Sequence, residues 1–571
     1  MPPPPIEADR RAGPRERSAW PGALARWRPW RGPPSGAPRP AERTDAGGRT
    51  AGLPRRDGHT DDHGTAAAGH TGASLTSIAG DHTTAAARHA GALTRRRLLT
   101  AGAAAAAGIA IASPESLAKG SLGALITDRD APPVPLFRSR PDLRIPALTV
   151  STAGQPVAPG LLLLAPYNAP NNAQAGALIV DNTGAPVWEL PLSHLEATDL
   201  RVQTYQGRPV LTWWQGIITL GHGVGGYVIA DTAYNPIAHV NAVNGHQGDL
   251  HEFLITSRGT VLLTSYLVTR RDLRAVGGSA NGVIQDALFQ EIDIATGRLL
   301  LEWHSLDHIP ITESYWPLDG HWDFVHLNSI EVDSDENLLV SCRNTHTIYK
   351  IDRTTGAIIW RLGGKHSDFG VSADAAFAWQ HDARRQADGT ITVFDNGERV
   401  SRALSLNVDE THRRVTLRRA YRHPANLFAS SQGNVQIQPN GNVLVGWGAQ
   451  PYISEFAPSG ELLFDARLGN GYMSYRAFRM PWIGSGAGAP AVATARTSDH
   501  VSIWVSWNGD TRVRRWTALA GASATALAPV ATAVRTGFET VLRISPALKH
   551  LQLRGTDATG AVLTSTAPIA I

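Results

Sequence analysis

The sequence contains a single cysteine, Cys342, among 571 residues. An intramolecular disulfide is therefore excluded, and a secreted protein of this composition would depend on packing alone. Hydrophobic residues make up 42 % of the chain, which is enough for a large core, and the length exceeds that of one compact domain.

Recognisable nucleotide-binding motifs are also lacking. No phosphate-cradling glycine loop, dinucleotide fingerprint or Ser-His-Asp pattern stands out, and the glycines from Gly221 to Gly226 indicate a strand connection. Basic residues are concentrated in residues 1–118, which hold 16 Lys/Arg and 10 Asp/Glu, so that 37 basic and 39 acidic residues follow. The remaining chain has a net charge of about −2, and this charge predicts no nucleic-acid partner.

The first 118 residues are predicted to be a leader. Residues 1–93 are rich in Pro, Gly, Arg, Ala and Thr without hydrophobic periodicity, so we expect them to be disordered or to precede the true start. Residues 94–118 contain Arg95-Arg96-Arg97 before an Ala-rich apolar run, the pattern of a twin-arginine export signal. The run is too short to remain as a transmembrane helix after cleavage. We therefore expect the Tat export machinery as a partner and a secreted or cell-envelope location; the alternative is a basic patch beside an Ala-rich helix.

Residues 119–480 contain an internal repeat. A pattern of an apolar residue, Asp, Gly, a short apolar run and Trp occurs at 180–188, 292–303 and 351–360. Weaker copies at 228–240, 406–417 and 456–464 bring the total to six. The copies are roughly 50–60 residues apart, which suits one four-stranded unit each. Turn residues between alternating segments indicate β-hairpins. The predicted fold class is all-β, with a six-bladed β-propeller.

The composition changes after the last repeat. Residues 481–490 are rich in Gly, Ala and Pro and are predicted to be a linker. Residues 491–571 contain short strand patterns at 501–507, 513–516, 530–534, 539–544, 551–554 and 562–566. These patterns predict a small C-terminal β-sandwich-like domain without evident chemistry of its own.

Three histidines occupy one position of the repeat. His251, His326 and His381 each lie just before an alternating strand and its hairpin. Residues at one position of a repeat meet only if the repeats surround an axis, so these side chains are predicted to cluster at the mouth of the propeller channel. Several other histidines, including His222 and His423, are interpreted as surface or loop residues.

Two polar residues accompany this histidine cluster. Asn328 follows His326 by two residues, on the same face of a strand, and Arg343 ends the hairpin that begins there. Imidazoles, an amide and a guanidinium form a cationic pocket rich in donors, which suits a tetrahedral anion. The alternative for Arg343 is a salt bridge to a carboxylate of a neighbouring blade. Aromatic residues that could hold an aryl ring are Trp213, Trp214, Trp379 and Tyr472.

These residues resemble the motifs of the bacterial arylsulfate sulfotransferase family. The resemblance rests on the His-x-Asn of His326 and Asn328, on Arg343 one hairpin later, on His251 and His381, and on the recurring Asp, Gly and Trp strands. It covers roughly residues 150–480. The single cysteine differs from the periplasmic members that carry a disulfide near the active site, and the chain fits better a divergent, actinobacterial-type branch.

The resemblance implies a six-bladed propeller that transfers a sulfuryl group from an aryl sulfate ester to a phenol without a nucleotide donor. It further implies that His381 becomes transiently sulfated while His251, His326, Asn328 and Arg343 hold the sulfuryl oxygens. A neighbouring histidine would supply a proton to the departing phenolate. No cofactor and no metal is required for this chemistry.

Two other functions remain open on the residues alone. Three imidazoles can hold a metal ion with an open water position, so a metal-dependent hydrolase or lyase is the enzymatic alternative, with Asp382 orienting a ligand histidine. A non-catalytic secreted binding propeller is the other.

Overall fold

A computed structural model of the protein describes residues 135–153, 156–168, 174–469 and 471–571. The predicted leader, 1–93, and the predicted export signal, 94–118, lie outside these residues. All of the described residues belong to one compact unit. None of its helices is both long and apolar enough to cross a membrane.

The described chain is almost entirely β-structure, which confirms the all-β prediction. Its helical segments are three short turns, at Arg274–Val276, Ser305–His308 and Ile311–Glu313. Everything that positions the histidines is therefore a strand or a turn between strands.

Six antiparallel sheets follow one another along the chain, each with four main strands in a meander. Sheet 1 contains β2 (Leu161–Tyr167), β3 (Gly176–Val180), β4 (Pro186–Pro191) and the late strand β27 (Met473–Met480), in the order β27-β2-β3-β4. Sheet 2 contains β5 (Glu196–Tyr205), β6 (Arg208–Thr219), β7 (His222–Ala230) and β8 (Pro236–Val240).

Sheets 3 and 4 carry two of the expected histidines. Sheet 3 contains β9 (Phe253–Ile255), β10 (Thr260–Arg271), β11 (Gly282–Asp293) and β12 (Leu299–His304), with the short β13 (Trp322–Asp323) parallel to β11. Sheet 4 contains β14 (Leu327–Val332), β15 (Leu338–Cys342), β16 (Thr347–Ile351) and β17 (Ile358–Gly363).

Sheets 5 and 6 have the same order with one added strand each. Sheet 5 contains β19 (His381–Arg385), β20 (Ile391–Asp395), β21 (Arg402–Asp409) and β22 (Arg414–Tyr421), with β18 (Gly370–Val371) parallel to β22. Sheet 6 contains β23 (Asn434–Ile437), β24 (Val443–Gly446), β25 (Tyr452–Phe456) and β26 (Leu462–Leu468), with β1 (Leu148–Ala153) beside β26.

The repeated Asp and Gly pattern forms the last hairpin of each sheet, and in sheets 1 to 5 its aspartate holds the turn. In sheet 1 the Asp181 carboxylate accepts hydrogen bonds from the Thr183 and Ala185 amides at 2.8 and 3.0 Å. In sheet 4 the Asp352 carboxylate accepts from the Thr354 amide at 2.9 Å. A short side chain that bonds amides two to four residues onward favours a tight turn, which explains its recurrence.

Each sheet packs against the next through its own hydrophobic cluster. One cluster joins Phe289 of sheet 3 to Ile330 of sheet 4. Five more join sheets 1 and 2, 2 and 3, 4 and 5, 5 and 6, and 6 and 1. The series therefore returns to its start, with sheet 6 packed on sheet 1.

Buried ion pairs tie the innermost strands together. Arg476 of β27 is fully buried and pairs with Asp199 of β5, with Glu252 just before β9 and with Asp382 of β19, at 2.9, 3.1 and 3.1 Å. Because β27 comes from the C-terminal end of this region and β2 from its beginning, their pairing joins the two ends of the chain segment within sheet 1.

Residues 491–571 form two further antiparallel sheets around a core of their own. One contains β28 (Ala491–Arg496), β29 (Val501–Ser506) and β32 (Glu539–Ile544), and the other β30 (Arg515–Gly521), β31 (Ala528–Val534), β33 (His550–Thr556), β34 (Val562–Ser565) and β35 (Ile569–Ala570). A strand overlaps each predicted pattern, although the pattern at 513–516 coincides only with the first two residues of β30. This part contacts sheet 1, where the Gly509 amide donates to the Val187 carbonyl at 2.8 Å.

Candidate active site

The three expected histidines lie together at the starts of consecutive sheets. His251 lies two residues before β9, His326 lies one residue before β14, and His381 opens β19. The ring centroids of His251 and His326 are 4.8 Å apart, and those of His326 and His381 are 6.2 Å apart. The predicted meeting of these side chains is confirmed.

His251 and His326 are each oriented by an aspartate. The Nδ1 atom of His251 lies 2.5 Å from the Asp249 carboxylate, and that of His326 lies 2.5 Å from the Asp323 carboxylate. An ionised carboxylate can only accept, so each Nδ1 carries a hydrogen, which leaves Nε2 as the nitrogen that faces away from the aspartate. Burial lowers the pKa of His326 to about 4 despite Asp323, so His326 is neutral at ordinary pH.

His381 is held differently, by an amide. Its Nδ1 lies 2.7 Å from Oδ1 of Asn396. The Asn396 amide nitrogen donates to the carbonyls of Ala429 and Gln432, which leaves Oδ1 as the acceptor and places the hydrogen on His381 Nδ1. The backbone N–H of Gln432 donates to Nε2 at 3.1 Å. Burial, together with the charge of Arg343, lowers the pKa of His381 well below its ordinary value.

Asp382 does not orient a histidine, so that interpretation is wrong. Its carboxylate pairs with Arg384 at 2.9 Å and with Arg476, and it also accepts from the Val435 amide. Asp382 has a φ of +57°, which breaks the alternation expected from the strand pattern.

Arg343 lies among aromatic rings just after β15. Its guanidinium carbon is 4.8 Å from the Trp379 ring centroid and 5.3 Å from that of Trp316. It donates to Asn344 Oδ1 at 2.7 Å and to the Ser430 carbonyl at 3.1 Å. No carboxylate within the described ranges forms an ion pair with Arg343, contrary to the salt-bridge alternative. Burial lowers its pKa to about 10, so the side chain stays cationic at neutral pH.

Asn328 is fully buried near the start of β14. Its amide nitrogen donates to the Gln380 carbonyl at 2.8 Å, and its backbone carbonyl accepts from the Tyr475 hydroxyl at 2.8 Å. His326 has a φ of +52°, so the simple two-residue alternation that relates it to Asn328 does not hold through this turn. The expected role of Asn328 in holding an anion stays a prediction.

His222 is the functional candidate that sequence reasoning missed. Its Nε2 lies 3.3 Å from the Asp323 carboxylate, and its ring centroid lies 5.3 Å from that of His326. Burial opposes protonation, but Asp323 outweighs it and raises the pKa of His222. The prediction of a surface or loop residue is wrong for His222, which opens β7 and points into the cluster. His423 does lie in a loop, between β22 and β23, but its side chain is buried beside Asp465.

The β6–β7 hairpin brings His222 to the cluster. A Cβ atom on Gly223 would lie 2.7 Å from the Leu250 backbone nitrogen and 2.6 Å from the Trp214 ring, so only glycine permits this approach. A Cβ on Gly221 would reach within 3.9 Å of the His326 ring. The one sequence signal was a histidine between two glycines at a hairpin tip, and it says nothing about where the tip lies.

Several polar atoms around the cluster have no partner among the described residues. They are His222 Nδ1, Arg343 Nε, Asn328 Oδ1 and His346 Nε2. Buried polar groups are nearly always bonded, so unpaired donors and acceptors in one region indicate the place of a polar ligand. Of the expected aromatic walls only Trp379 lies here, since Trp213, Trp214 and Tyr472 are in the hydrophobic clusters between sheets.

Residues 201–469 match the family model described as Arylsulfotransferase (ASST). This segment includes all four histidines of the cluster, as well as Asn328, Arg343 and Asn396. Through this segment the chain belongs to the arylsulfotransferase family. A search of curated proteins found no match to this arylsulfotransferase-family chain.

Solved structures similar to this arylsulfotransferase-family chain are distant. A protein of unknown function from Bacteroides caccae is 13 % identical over 57 % of this chain and 100 % of its own, with a TM-score of 0.35. A streptogramin B lyase is 10 % identical over 63 % and 95 %, with a TM-score of 0.30. Virginiamycin B lyase from Staphylococcus aureus is 13 % identical over 57 % and 85 %, with a TM-score of 0.24. Similarities this weak carry no argument about fold or reaction.

Proposed function

We propose that the six sheets are the blades of a β-propeller and that its histidine cluster transfers a sulfuryl group from an aryl sulfate to a phenol. The closed series of hydrophobic clusters supports the propeller, because each sheet packs on the next and the sixth packs on the first. Membership of the arylsulfotransferase family supports the reaction class.

The observation that carries the proposal is the state of His381. Asn396 keeps the hydrogen on Nδ1, so Nε2 presents a lone pair from a neutral ring. The pKa of His381 is lowered, which keeps that lone pair available into the acid range. Before Nε2 can attack sulfur, the hydrogen bond that it accepts from the Gln432 N–H must break, so that the lone pair faces the substrate.

The transfer has two steps. First, Nε2 of His381 bonds to sulfur as the S–O bond to the aryl group breaks, and the electron pair leaves on the phenolate oxygen. Then a second phenol loses its proton, its oxygen bonds to sulfur, and the S–N bond returns its electron pair to Nε2. Arg343 supplies a planar pair of donors for the sulfuryl oxygens, which carry partial negative charge through each transfer.

His222 is the proton donor in this scheme. Its raised pKa favours the imidazolium, in which Nε2–H faces Asp323 and Nδ1–H has no partner among the residues that the structure describes. The free Nδ1–H can protonate the departing phenolate, and the resulting neutral ring can take the proton of the incoming phenol. His251 and His326 would line the pocket, with Nε2 directed away from their aspartates.

Intact-mass measurement tests the covalent step. The full chain exposed to an aryl sulfate without acceptor should gain about 80 daltons, the mass of one sulfuryl group. His381→Ala should lose both the adduct and turnover. His412→Ala, at an exposed histidine paired with Asp409, is the matched control and should keep both. Full turnover in His381→Ala would refute the proposal.

A metal-dependent hydrolase or lyase is the second candidate. Asp249 and Asp323 hold the Nδ1 atoms of His251 and His326, and carboxylates do the same for histidines that ligate metals through Nε2. Activity that a chelator abolishes and a divalent ion restores would favour this reaction over sulfuryl transfer.

A further inference from the structure

A second group of metal-ligand side chains lies away from the histidine cluster. His246 lies in the connection between β8 and β9, and Glu302 and His304 lie on β12. Their candidate ligand atoms all lie within 4.8 Å of one another. The family's sulfuryl chemistry gives these three residues no role.

The spacing of these atoms suits a shared ion. Nε2 of His304 lies 3.4 Å from Oε1 of Glu302, and Nε2 of His246 lies 3.6 Å from Oε2 of Glu302. Around a tetrahedral zinc ion with bonds of about 2.0–2.2 Å, neighbouring ligand atoms are about 3.3–3.6 Å apart. In the active-site cluster the closest carboxylate contacts of His251 and His326 are hydrogen bonds of 2.5 Å, too short for two ligands of one ion.

Neighbouring groups orient the ligands. Nδ1 of His304 lies 2.7 Å from the Asp286 carboxylate, which itself accepts from the Ser305 hydroxyl and the Leu306 amide. A carboxylate on one imidazole nitrogen aims the lone pair of the other, as in carboxylate–histidine–metal arrangements.

Glu302 is positioned in the same way. Its Oε2 accepts from the Gln290 amide at 2.5 Å and from the Asn244 amide at 3.1 Å. Apart from the long contact with His304, Oε1 accepts no hydrogen bond from the described residues. The side chains of His246, Glu302 and His304 are 12, 21 and 25 % exposed, so an ion can reach them from solvent.

We propose that His246, Glu302 and His304 bind a divalent transition-metal ion of the zinc type, with water in the remaining position. Two imidazole nitrogens and one carboxylate form a nitrogen and oxygen set that Zn²⁺ and Co²⁺ accept. The ion would link the chain between β8 and β9, through His246, to strand β12, through Glu302 and His304. That connection leads directly into Asp249 and His251.

Cobalt titration of the chelator-treated full chain tests the site. We expect one Co²⁺ to bind with the visible absorption of tetrahedral coordination and to be displaced by Zn²⁺. His246→Gln and Glu302→Gln should each weaken this binding at least about tenfold, since each removes one of three ligands. Zn²⁺ should also raise the unfolding temperature of the wild type but not of either variant.

Two controls separate this site from the alternatives. His222 belongs to both groups of possible metal ligands in the active-site cluster, so His222→Ala should leave the cobalt spectrum unchanged if the ion binds elsewhere. His412 is an exposed histidine paired with Asp409, and His412→Ala should likewise leave the spectrum unchanged if surface imidazoles do not bind the ion. The proposal is overturned if the wild type binds no Co²⁺, if only His222→Ala loses binding, or if both ligand variants bind as the wild type does. His246 lies between strands β8 and β9, so we expect His246→Gln to keep the fold. Unfolding curves of the metal-free variant and the metal-free wild type should therefore coincide.

Discussion

At the scale of single residues, the partner of each imidazole separates the active-site histidines. His251 and His326 face aspartates, whereas His381 faces the amide of Asn396. An aspartate would stabilise a positive imidazole, and an amide sets the tautomer without doing so. In the proposed reaction the sulfated ring of His381 therefore stays a good leaving group, ready to pass the sulfuryl group on.

Asn396→Asp tests this distinction through pH. The new carboxylate raises the pKa of His381, so the ring is protonated, and its lone pair lost, at a higher pH than in the wild type. The acid limb of kcat/KM should move upward by about one to three pH units. Asn434→Asp is the control, since Asn434 is equally buried but bonds only backbone groups of Ala477. An unmoved acid limb would show that Asn396 does not govern His381.

His222→Ala tests the proposed proton donor by its dependence on the leaving group. Rates with an unactivated phenyl sulfate should fall about 10²–10⁴-fold, because the phenolate then leaves without a proton. Rates with a nitrophenyl sulfate should fall far less, because that phenolate leaves unaided. Equal losses with both substrates in steady-state assays would assign His222 a structural role instead.

At the scale of elements, the β6–β7 hairpin brings His222 to its site by close packing. Gly223→Ala would place a methyl group against the Leu250 nitrogen and the Trp214 ring and displace the tip. We expect a loss of about 1–3 kcal/mol in unfolding free energy, together with the same leaving-group dependence as His222→Ala. Gly320→Ala, with nothing within 4 Å of the added carbon, is the control and should change neither quantity. Wild-type stability and kinetics in Gly223→Ala would contradict this account.

At the scale of the whole molecule, the central ion pairs hold strands from distant parts of the chain. Arg476→Met would leave Asp199, Glu252 and Asp382 without their shared cation. Removing one partner of a buried pair costs about 3–5 kcal/mol, which denaturant unfolding would measure. Arg258→Met breaks an exposed pair with Glu336 and should cost about 0–1 kcal/mol. Similar losses for the two variants would mean that the central network is not specially stabilising.

Export concerns the whole chain as well, and we propose the twin-arginine route. Replacing Arg95 and Arg96 together with Lys should keep the protein inside the cell, because the route recognises paired arginines. The same double change at Arg55 and Arg56 keeps the total charge equal and should leave export intact. Immunoblots of cell and extracellular fractions give the result, and unchanged export of the first variant would reject the route.

The sequence by itself determined the sheets and the three repeat histidines, because both depend on local chemistry. Alternating residues predict strands, Asp and Gly predict the hairpin turns, and a shared position in the repeat predicts that His251, His326 and His381 meet. Tertiary structure alone decided the neighbours of those rings. His222 arrives on a hairpin from another sheet, Asn396 reaches His381 across 15 positions, and Asp382 turns toward Arg384 and Arg476. The contacts of His222 and Asp382 depend on packing between sheets and on backbone with positive φ, and the Asn396 contact depends on the register of the β19–β20 hairpin. Local periodicity encodes none of these.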